Sequence, residues 1–133
     1  MFTKPVSILI VESQPLMRAA LANTLSAEGF TVFGSVWNSQ TMRTASKLRP
    51  DLVLLSVGTS SWDDVKSISS LRQTLPSALI VALITGEFPR QEQEALGEGA
   101  HLVVKKTISR STLLDTLNKL LKKTQPINML AVQ

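Results

Sequence analysis

The segment Pro50–Trp62, PDLVLLSVGTSSW, joins an unbroken apolar run to a polar loop. The run Leu52–Leu55 contains no polar residue, which predicts a strand buried on both faces, as strands of parallel sheets are. The predicted strand ends at Ser56, and Gly58 lies in the loop that follows. Open α/β sheets bind their ligands just beyond the carboxyl ends of the strands. Ser56 therefore places a neutral hydroxyl where a reactive side chain is expected.

The composition indicates one folded domain. A chain of 133 residues can bury a core without a disulfide or a structural metal, and the absence of cysteine excludes thiol chemistry. The hydrophobic content of 44% argues against disorder. No apolar segment approaches the roughly 20 residues of a membrane helix, and the N-terminal run is too short for a signal peptide. The net charge of +4 is spread along the chain, which is typical of solvated lysines.

Apolar runs alternate with helical patterns five times along the chain. The predicted strands are Val6–Val11, Phe30–Val36, Leu52–Ser56, Leu79–Ile84 and Leu102–Val104. The predicted helices begin near Pro15, Asn38 or Ser39, Ser60 or Ser61, Pro89, and Ser109 or Ser111. Repeated strand–helix units with right-handed crossovers give a doubly wound parallel sheet. The expected fold is α/β, flavodoxin-like (βα)5, with strand order 2-1-3-4-5.

Four motifs resemble the receiver domain of bacterial two-component response regulators. They are ILIVESQPLMRAAL (8–21), RPDLVLLS (49–56), VALITG (81–86) and EGAHLVVKKT (98–107). The resemblance extends over about 6–123, so residues 1–123 are expected to form the receiver-like domain. Residues 124–133 are expected to be a tail or the start of a linker. The chain is then either a stand-alone receiver or a piece of a longer protein.

The resemblance implies a set of site residues. Receivers use an acidic pair after strand one and an aspartate at the end of strand three to bind magnesium, and that aspartate accepts a phosphoryl group from a histidine kinase. A hydroxyl after strand four and a lysine after strand five contact the phosphoryl group. In this sequence Glu12 and Ser13 stand at the acidic pair, Ser56 at the acceptor position, Thr85 at the hydroxyl and Lys106 at the lysine.

This set lacks two of the three carboxylates of the family, because serines stand at the second acidic position (Ser13) and at the acceptor position (Ser56). Magnesium prefers hard oxygen ligands, so binding at Glu12 alone is expected to be weak, and no metal site or catalytic residue is assigned. Glu12 is expected to pair with Lys106, the alternative being a metal ligand; Lys106 could also be simply solvated. Ser56 is interpreted as the polar end of a strand with no adjacent base, the alternative being phosphorylation by another kinase. Thr85 either senses an oxyanion or binds a loop amide.

Two tryptophans, an aspartate pair and the single histidine are further candidate residues. Trp62 and Trp37 mark either a contact surface or packing onto the domain itself. Asp63 and Asp64 are predicted to begin the third helix, where negative charge is favourable, the alternative being a metal role. His101 has no partner at metal-ligand spacing.

The preferred hypothesis is a cytoplasmic, non-enzymatic pseudo-receiver that acts through a protein partner, such as a histidine kinase, an output domain or another signalling protein. A homodimer through the fourth helix, fifth strand and fifth helix is a further expectation. The alternatives are a phosphorelay receiver with a non-standard acceptor and the regulatory domain of a DNA-binding transcription factor. Membrane association is not predicted. Direct nucleic-acid binding is not favoured, because the sequence has no recognition helix and no interleaved aromatic and basic residues.

Overall fold

The computed structural model describes residues 4–58, 65–87 and 89–123. The strands are β1 (Ser7–Val11), β2 (Thr31–Ser35), β3 (Leu52–Ser56), β4 (Leu79–Ile84) and β5 (Leu102–Lys105). The helices are α1 (Pro15–Ala27), α2 (Thr41–Leu48), α3 (Lys66–Thr74), α4 (Gln91–Gly97) and α5 (Arg110–Lys123). Strands and helices alternate throughout, as the sequence predicts.

The five strands form one parallel sheet in the order β2-β1-β3-β4-β5. In the registers of the central strands, Val11 lies beside Leu55, and Leu55 lies beside Ala82. The predicted flavodoxin-like topology is confirmed. Because neighbouring strands run in the same direction, their carboxyl ends share one edge of the sheet, and the residues that follow them are brought together there.

The central strands are buried on both faces. Every residue of β3 and of β4 is buried, which agrees with their continuous apolar sequences. One hydrophobic core lies under α2, α3 and α4 and includes Ala45, Ile68 and Ala95. A second core lies under α1 and α5 and includes Leu25, Leu117 and Leu121. The sheet therefore separates two apolar layers, each closed by helices.

The helix ends differ in places from the sequence prediction. Helix α2 begins at Thr41 because Asn38 Oδ1 accepts a hydrogen bond from the Gln40 amide at 2.8 Å, which holds the preceding residues in a turn. Helix α4 begins at Gln91, two residues after Pro89. Helix α5 has the expected cap, since Ser109 Oγ accepts a hydrogen bond from the Thr112 amide at 3.2 Å.

Three backbone positions at helix ends adopt positive φ angles, and one of them is Gly99 after α4, with a φ of 120°. Gly29, just after α1, has a φ of 93°, a conformation that glycine adopts without steric cost. Arg49, just after α2, has a φ of 47° although it carries a side chain. A left-handed arginine is strained. The chain reverses direction there before it enters β3.

Some sequence predictions fall outside the described residues. They concern Ser60 and Ser61, one of which was predicted to begin the third helix, then Trp62, Asp63 and Asp64, and the tail 124–133. Within the described residues, none of the helices is both long enough and apolar enough to cross a bilayer.

Candidate functional site

The candidate site lies where β1 and β3 end side by side. Ser56 is the last residue of β3, and Glu12 directly follows β1. The pairing of Val11 with Leu55 brings the two polar residues next to each other at the carboxyl edge of the sheet. Each side chain is only 3% exposed. Such burial requires hydrogen-bonding partners for both groups.

The carboxylate of Glu12 receives those hydrogen bonds from neutral donors. Ser56 Oγ donates to Glu12 Oε1, and the Gln14 amide donates to Glu12 Oε2 at 3.0 Å. The backbone of Glu12 is also held, because Arg18 Nη1 donates to its carbonyl at 2.8 Å and its amide donates to the Ser35 carbonyl at 2.9 Å. The side chain is therefore fixed in position by Ser56 and by the start of α1.

The predicted ion pair between Glu12 and Lys106 is not formed. No nitrogen–oxygen distance between these two described side chains falls within 4.0 Å. Glu12 has other partners, because its two oxygens accept hydrogen bonds from Ser56 and from the Gln14 amide, which satisfy the buried carboxylate without the lysine. Lys106 donates its backbone amide to the Ile84 carbonyl at 2.7 Å and lines a cleft beside α1. The lysine is thus separate from the carboxylate that it was expected to neutralise.

Ser13 and Thr85 lie on the exposed side of the site. Ser13 follows Glu12 and is exposed, so it adds no buried ligand. Thr85 follows β4 and is also exposed. Its Oγ1 accepts a hydrogen bond from the Glu87 amide at 3.4 Å. This contact corresponds to the simpler of the two predicted roles for Thr85, the binding of a loop amide.

Trp37 contacts the site from the loop after β2. Its indole Nε1 donates a hydrogen bond to the Ser56 carbonyl at 3.3 Å, while its ring packs against the core under α2 and α3. Thr41 fixes that loop, since its Oγ1 donates to the Val36 carbonyl at 3.0 Å and accepts from the Asn38 amide at 2.9 Å. Of the two readings that the sequence left open, Trp37 takes the one in which it packs onto its own domain.

Gln91 connects α4 to the loop that follows β3. Its Nε2 donates to the Gly58 carbonyl at 3.4 Å, and the side chain is buried. Its Oε1 has no hydrogen-bond partner among the described residues. Neither Gln91 nor Arg18 was expected at the site from the sequence. A polar residue at the first position of a helix gives little signal, whereas Arg18 lies one turn after Gln14 and could have been placed beside Glu12.

His101 lies at the opposite edge of the sheet. Its Nδ1 accepts a hydrogen bond from the Ile80 amide at 3.0 Å, and its own amide donates to the Ile80 carbonyl at 2.8 Å. Burial of the ring lowers the pKa of His101, and the nearby positive charge of Arg72 lowers it further. The histidine therefore has a structural role in joining β4 to the start of β5.

The donor set at the site does not match the ligands that magnesium prefers. The two oxygens of Glu12 are the only carboxylate oxygens at the site contributed by the described residues, and both accept hydrogen bonds. Nowhere in the described ranges do three His, Cys, Asp or Glu side chains group closely enough to hold a metal ion. Magnesium is bound through carboxylates and retained waters in octahedral geometry. The chemistry of these residues therefore fits a hydrogen-bonded polar cluster better than a cation site.

Comparisons with known proteins agree on one family. Residues 8–118 match the response regulator receiver domain. The response regulator protein VraR of Staphylococcus epidermidis is 26% identical over 116 residues, which cover 86% of this chain and 56% of that protein. The transcriptional regulatory protein LnrK of Bacillus subtilis is 29% identical over 111 residues, covering 82% of this chain and 50% of that protein. This chain thus spans about half the length of these relatives.

A solved structure shows the same fold. The CheY-like response regulator receiver domain protein from Methanospirillum hungatei superposes with a TM-score of 0.85 at 15% sequence identity. The superposition covers 92% of this chain and 98% of that one. At this identity the likeness concerns the fold alone.

Proposed function

Because this chain belongs to the response regulator receiver domain family, we propose that it is a signalling module that is not phosphorylated on aspartate and that acts through protein–protein contacts. The observation that carries the proposal is the hydrogen bond from Ser56 to Glu12. Transfer from a phosphohistidine requires a nucleophile such as a carboxylate, which forms an acyl phosphate. At the end of β3 this chain offers a buried hydroxyl instead.

The charge around Ser56 also opposes phosphoryl transfer. A transferring phosphoryl group is stabilised by cations, commonly magnesium together with lysine or arginine. Here Glu12 is the charged side chain that contacts Ser56, and Lys106 forms no ion pair with that carboxylate. Since a phosphoryl group on Ser56 would meet the carboxylate of Glu12, like-charge repulsion would disfavour the product. We therefore propose a non-enzymatic role for the domain, in the cytoplasm, with residues 1–123 as the functional unit.

The test is the reaction of the protein with acetyl phosphate and magnesium, followed by intact-mass measurement. The matched control is the double variant Ser13→Asp/Ser56→Asp, which restores the carboxylates that the family uses. We expect the parent protein to keep its mass and the variant to gain one phosphoryl group. A hydroxylamine-labile phosphoryl group on the parent protein would contradict the proposal, because acyl phosphates have that lability.

A second candidate function is supported by the same hydrogen bond. A hydroxyl that donates to a carboxylate has the arrangement of a nucleophile and its general base, so Glu12 can act as a base for Ser56, for which the sequence predicted no adjacent base. The second proposal is a phosphorelay receiver that uses Ser56 as its acceptor. A hydroxylamine-stable phosphoryl group mapped to Ser56 would favour this function over the first.

The proposed protein contact is a homodimer through α4, β5 and α5. Leu96 on α4 is 46% exposed, and the neighbouring Glu92 and Glu94 are exposed on the same short helix. Lys119 and Lys122 are exposed on α5. An apolar residue between acidic and basic helices can be matched by a second copy related by two-fold symmetry. Sedimentation of the parent and of Leu96→Glu tests the contact, with Leu16→Glu on α1 as the control.

The third proposal concerns the larger protein. Relatives include a transcriptional regulatory protein that is about twice as long as the matched region. A DNA-binding output domain joined after residue 133 would make this chain the regulatory part of a transcription factor. The coding sequence that follows residue 133 tests this proposal directly.

A further inference from the structure

Helix α1 is apolar around most of its circumference. Leu21 and Leu25 are buried in the core, yet Leu16 is 87% exposed, and Ala19 and Ala20 are exposed as well. A surface helix normally confines its apolar residues to the face that packs on the core. Helix α1 therefore presents apolar surface in two directions, one toward the sheet and one toward α5 and solvent.

A cleft of about 190 Å³ lies between α1 and the start of α5. Its apolar wall is formed by Met17, Leu21, Leu83 and Leu113. Leu83 is a β4 residue, so the cleft reaches down to the sheet. An apolar cavity of roughly 150 Å³ is large enough to hold benzene. This cleft can accommodate a body of that size, although it is smaller than the roughly 300–1,000 Å³ sites of drug-sized ligands.

Two cationic residues belong to the lining of the same cleft, Lys106 after β5 and Arg110 at the start of α5. No acidic residue lines it. In the part of the chain that the structure describes, neither cation forms an ion pair, and the carboxylate expected for Lys106 is bonded to Ser56 and Gln14 instead. Lys106 is half-buried and Arg110 is exposed, so an anion can reach both cations beside the apolar wall and form charge-assisted hydrogen bonds with them.

We propose that this cleft binds a small amphipathic carboxylate. The carboxylate lies between Lys106 and Arg110, and a body the size of one ring or a short alkyl chain packs against Met17, Leu21 and Leu113. A macromolecular interface needs an extended surface of about 800 Å² on each partner, whereas the two cations and the apolar wall here converge on a single recess. Binding of this ligand does not depend on phosphorylation at Ser56. The ligand would act on the domain as a separate small-molecule signal.

Phenylacetate is a suitable probe, because it joins a carboxylate to a benzene-sized body. It is titrated into isotopically labelled protein and followed by amide NMR. For about ten non-hydrogen atoms we expect a dissociation constant on the order of 1 mM. The saturable shifts should map to α1 and to residues 106–113. Residues around the cleft lined by Arg49, Thr74 and Ser77 at the opposite edge of the sheet should not shift.

Matched ligands separate the two parts of the proposed site. Acetate has the charge without the body, 2-phenylethanol has the body without the charge, and 2-phenylethylamine has the opposite charge. Each should bind at least about tenfold more weakly than phenylacetate. Acetate loses the burial of the ring against the apolar wall, whereas the alcohol and the amine lose the hydrogen bonds between a carboxylate and the two cations. Equal binding of phenylacetate and 2-phenylethanol would overturn the proposal, because the cations would then have no role.

Matched variants test the named residues. Lys106→Gln and Arg110→Gln should each weaken phenylacetate binding about tenfold, and Ala20→Trp should block the cleft, which Ala20 lines. Lys119→Gln removes an exposed lysine of α5 that does not line the cleft and should leave binding unchanged. The absence of saturable shifts with the parent protein up to 20 times the expected dissociation constant would overturn the proposal. So would shifts that none of the three cleft variants alters.

Discussion

The hydroxyl of Ser56 donates a hydrogen bond to the carboxylate of Glu12, across 44 positions of the chain. The bond joins the ends of two neighbouring parallel strands at the edge where this fold binds its ligands. A carboxylate that is 3% exposed is thereby satisfied by a neutral donor and the Gln14 amide. The bond thus satisfies two buried polar groups at the positions where the receiver resemblance predicts the acidic pocket and the phosphoacceptor.

Removal of the Ser56 hydroxyl should destabilise the domain. In Ser56→Ala, Glu12 Oε1 loses its donor while it remains buried, and an unsatisfied buried acceptor costs about 1–3 kcal/mol. We expect the free energy of urea unfolding to fall by about 2 kcal/mol. Ser13→Ala, which alters an exposed hydroxyl, should change it by less than about 0.5 kcal/mol. Equal effects of the two substitutions would show that the hydrogen bond is not stabilising.

Magnesium should distinguish the parent protein from a variant with restored carboxylates. In Ser13→Asp/Ser56→Asp a second carboxylate meets the buried Glu12, so like charges should lower the melting temperature in the absence of divalent cations. Millimolar magnesium should then raise the melting temperature of the variant by about 5 °C, because it binds the folded state. The parent protein should not respond. A comparable rise in the parent protein would indicate that Glu12 binds magnesium without further carboxylates.

The stability of the domain should depend on pH through His101. Its pKa in the folded state lies below the ordinary value of 6.5, so the unfolded chain binds the proton more readily. The free energy of unfolding should therefore fall as the pH drops through 6.5 toward the lower folded-state pKa. Protonation of Nδ1 also removes the acceptor for the Ile80 amide.

The variant His101→Asn separates this effect from the titration of carboxylates. Its side-chain oxygen can accept from the Ile80 amide but does not titrate. Urea unfolding at pH 8 and at pH 5.5 should show a smaller loss of stability in the variant than in the parent protein. If the variant and the parent protein lost the same amount of stability between the two pH values, the loss would come from titratable groups other than His101.

Glycine at position 49 should stabilise the protein. Arg49 has a φ of 47°, and a left-handed conformation costs an ordinary residue about 1–2 kcal/mol. Arg49→Gly relieves that strain but adds freedom to the unfolded chain, so a net gain of about 0.5–1 kcal/mol is expected in thermal unfolding. Lys47→Gly, within α2, should instead destabilise by about 1 kcal/mol. A loss of stability in Arg49→Gly would show that the arginine side chain makes a compensating contribution.

The fold could be predicted in detail where burial alone determines the pattern. Strands β3 and β4 begin and end at the predicted residues, because a strand buried on both faces is marked by a continuous apolar run. The first residues of α2 and α4 were harder to predict from the sequence. A helix start depends on whether a polar side chain caps the helix or instead binds a nearby amide in a turn. Asn38 binds the Gln40 amide in this second way, and the sequence at that point is equally compatible with a helix cap.

The site could be predicted as a set of neighbours but not as a set of bonds. The strand order places Glu12 beside Ser56, and both were singled out from the sequence. The prediction that Glu12 pairs with Lys106 was wrong. Opposite charge favours that pair, but in the structure the Ser56 hydroxyl and the Gln14 amide lie nearer to the carboxylate and bind it. For Trp37 the sequence left open a contact surface or packing onto the domain itself, and its contact with the Ser56 carbonyl could not be predicted because it depends on the path of the loop after β2.

The contact of the Trp37 indole with the Ser56 carbonyl has a practical consequence. The chain contains two tryptophans and no tyrosine, so Trp62→Phe would leave Trp37 as its single strong fluorophore. Indole emission changes in wavelength and intensity when its hydrogen bonds and solvent exposure change. The domain therefore carries an optical reporter at the carboxyl edge of its sheet. Phosphodonors, divalent cations and candidate partners can be screened against it without any added label.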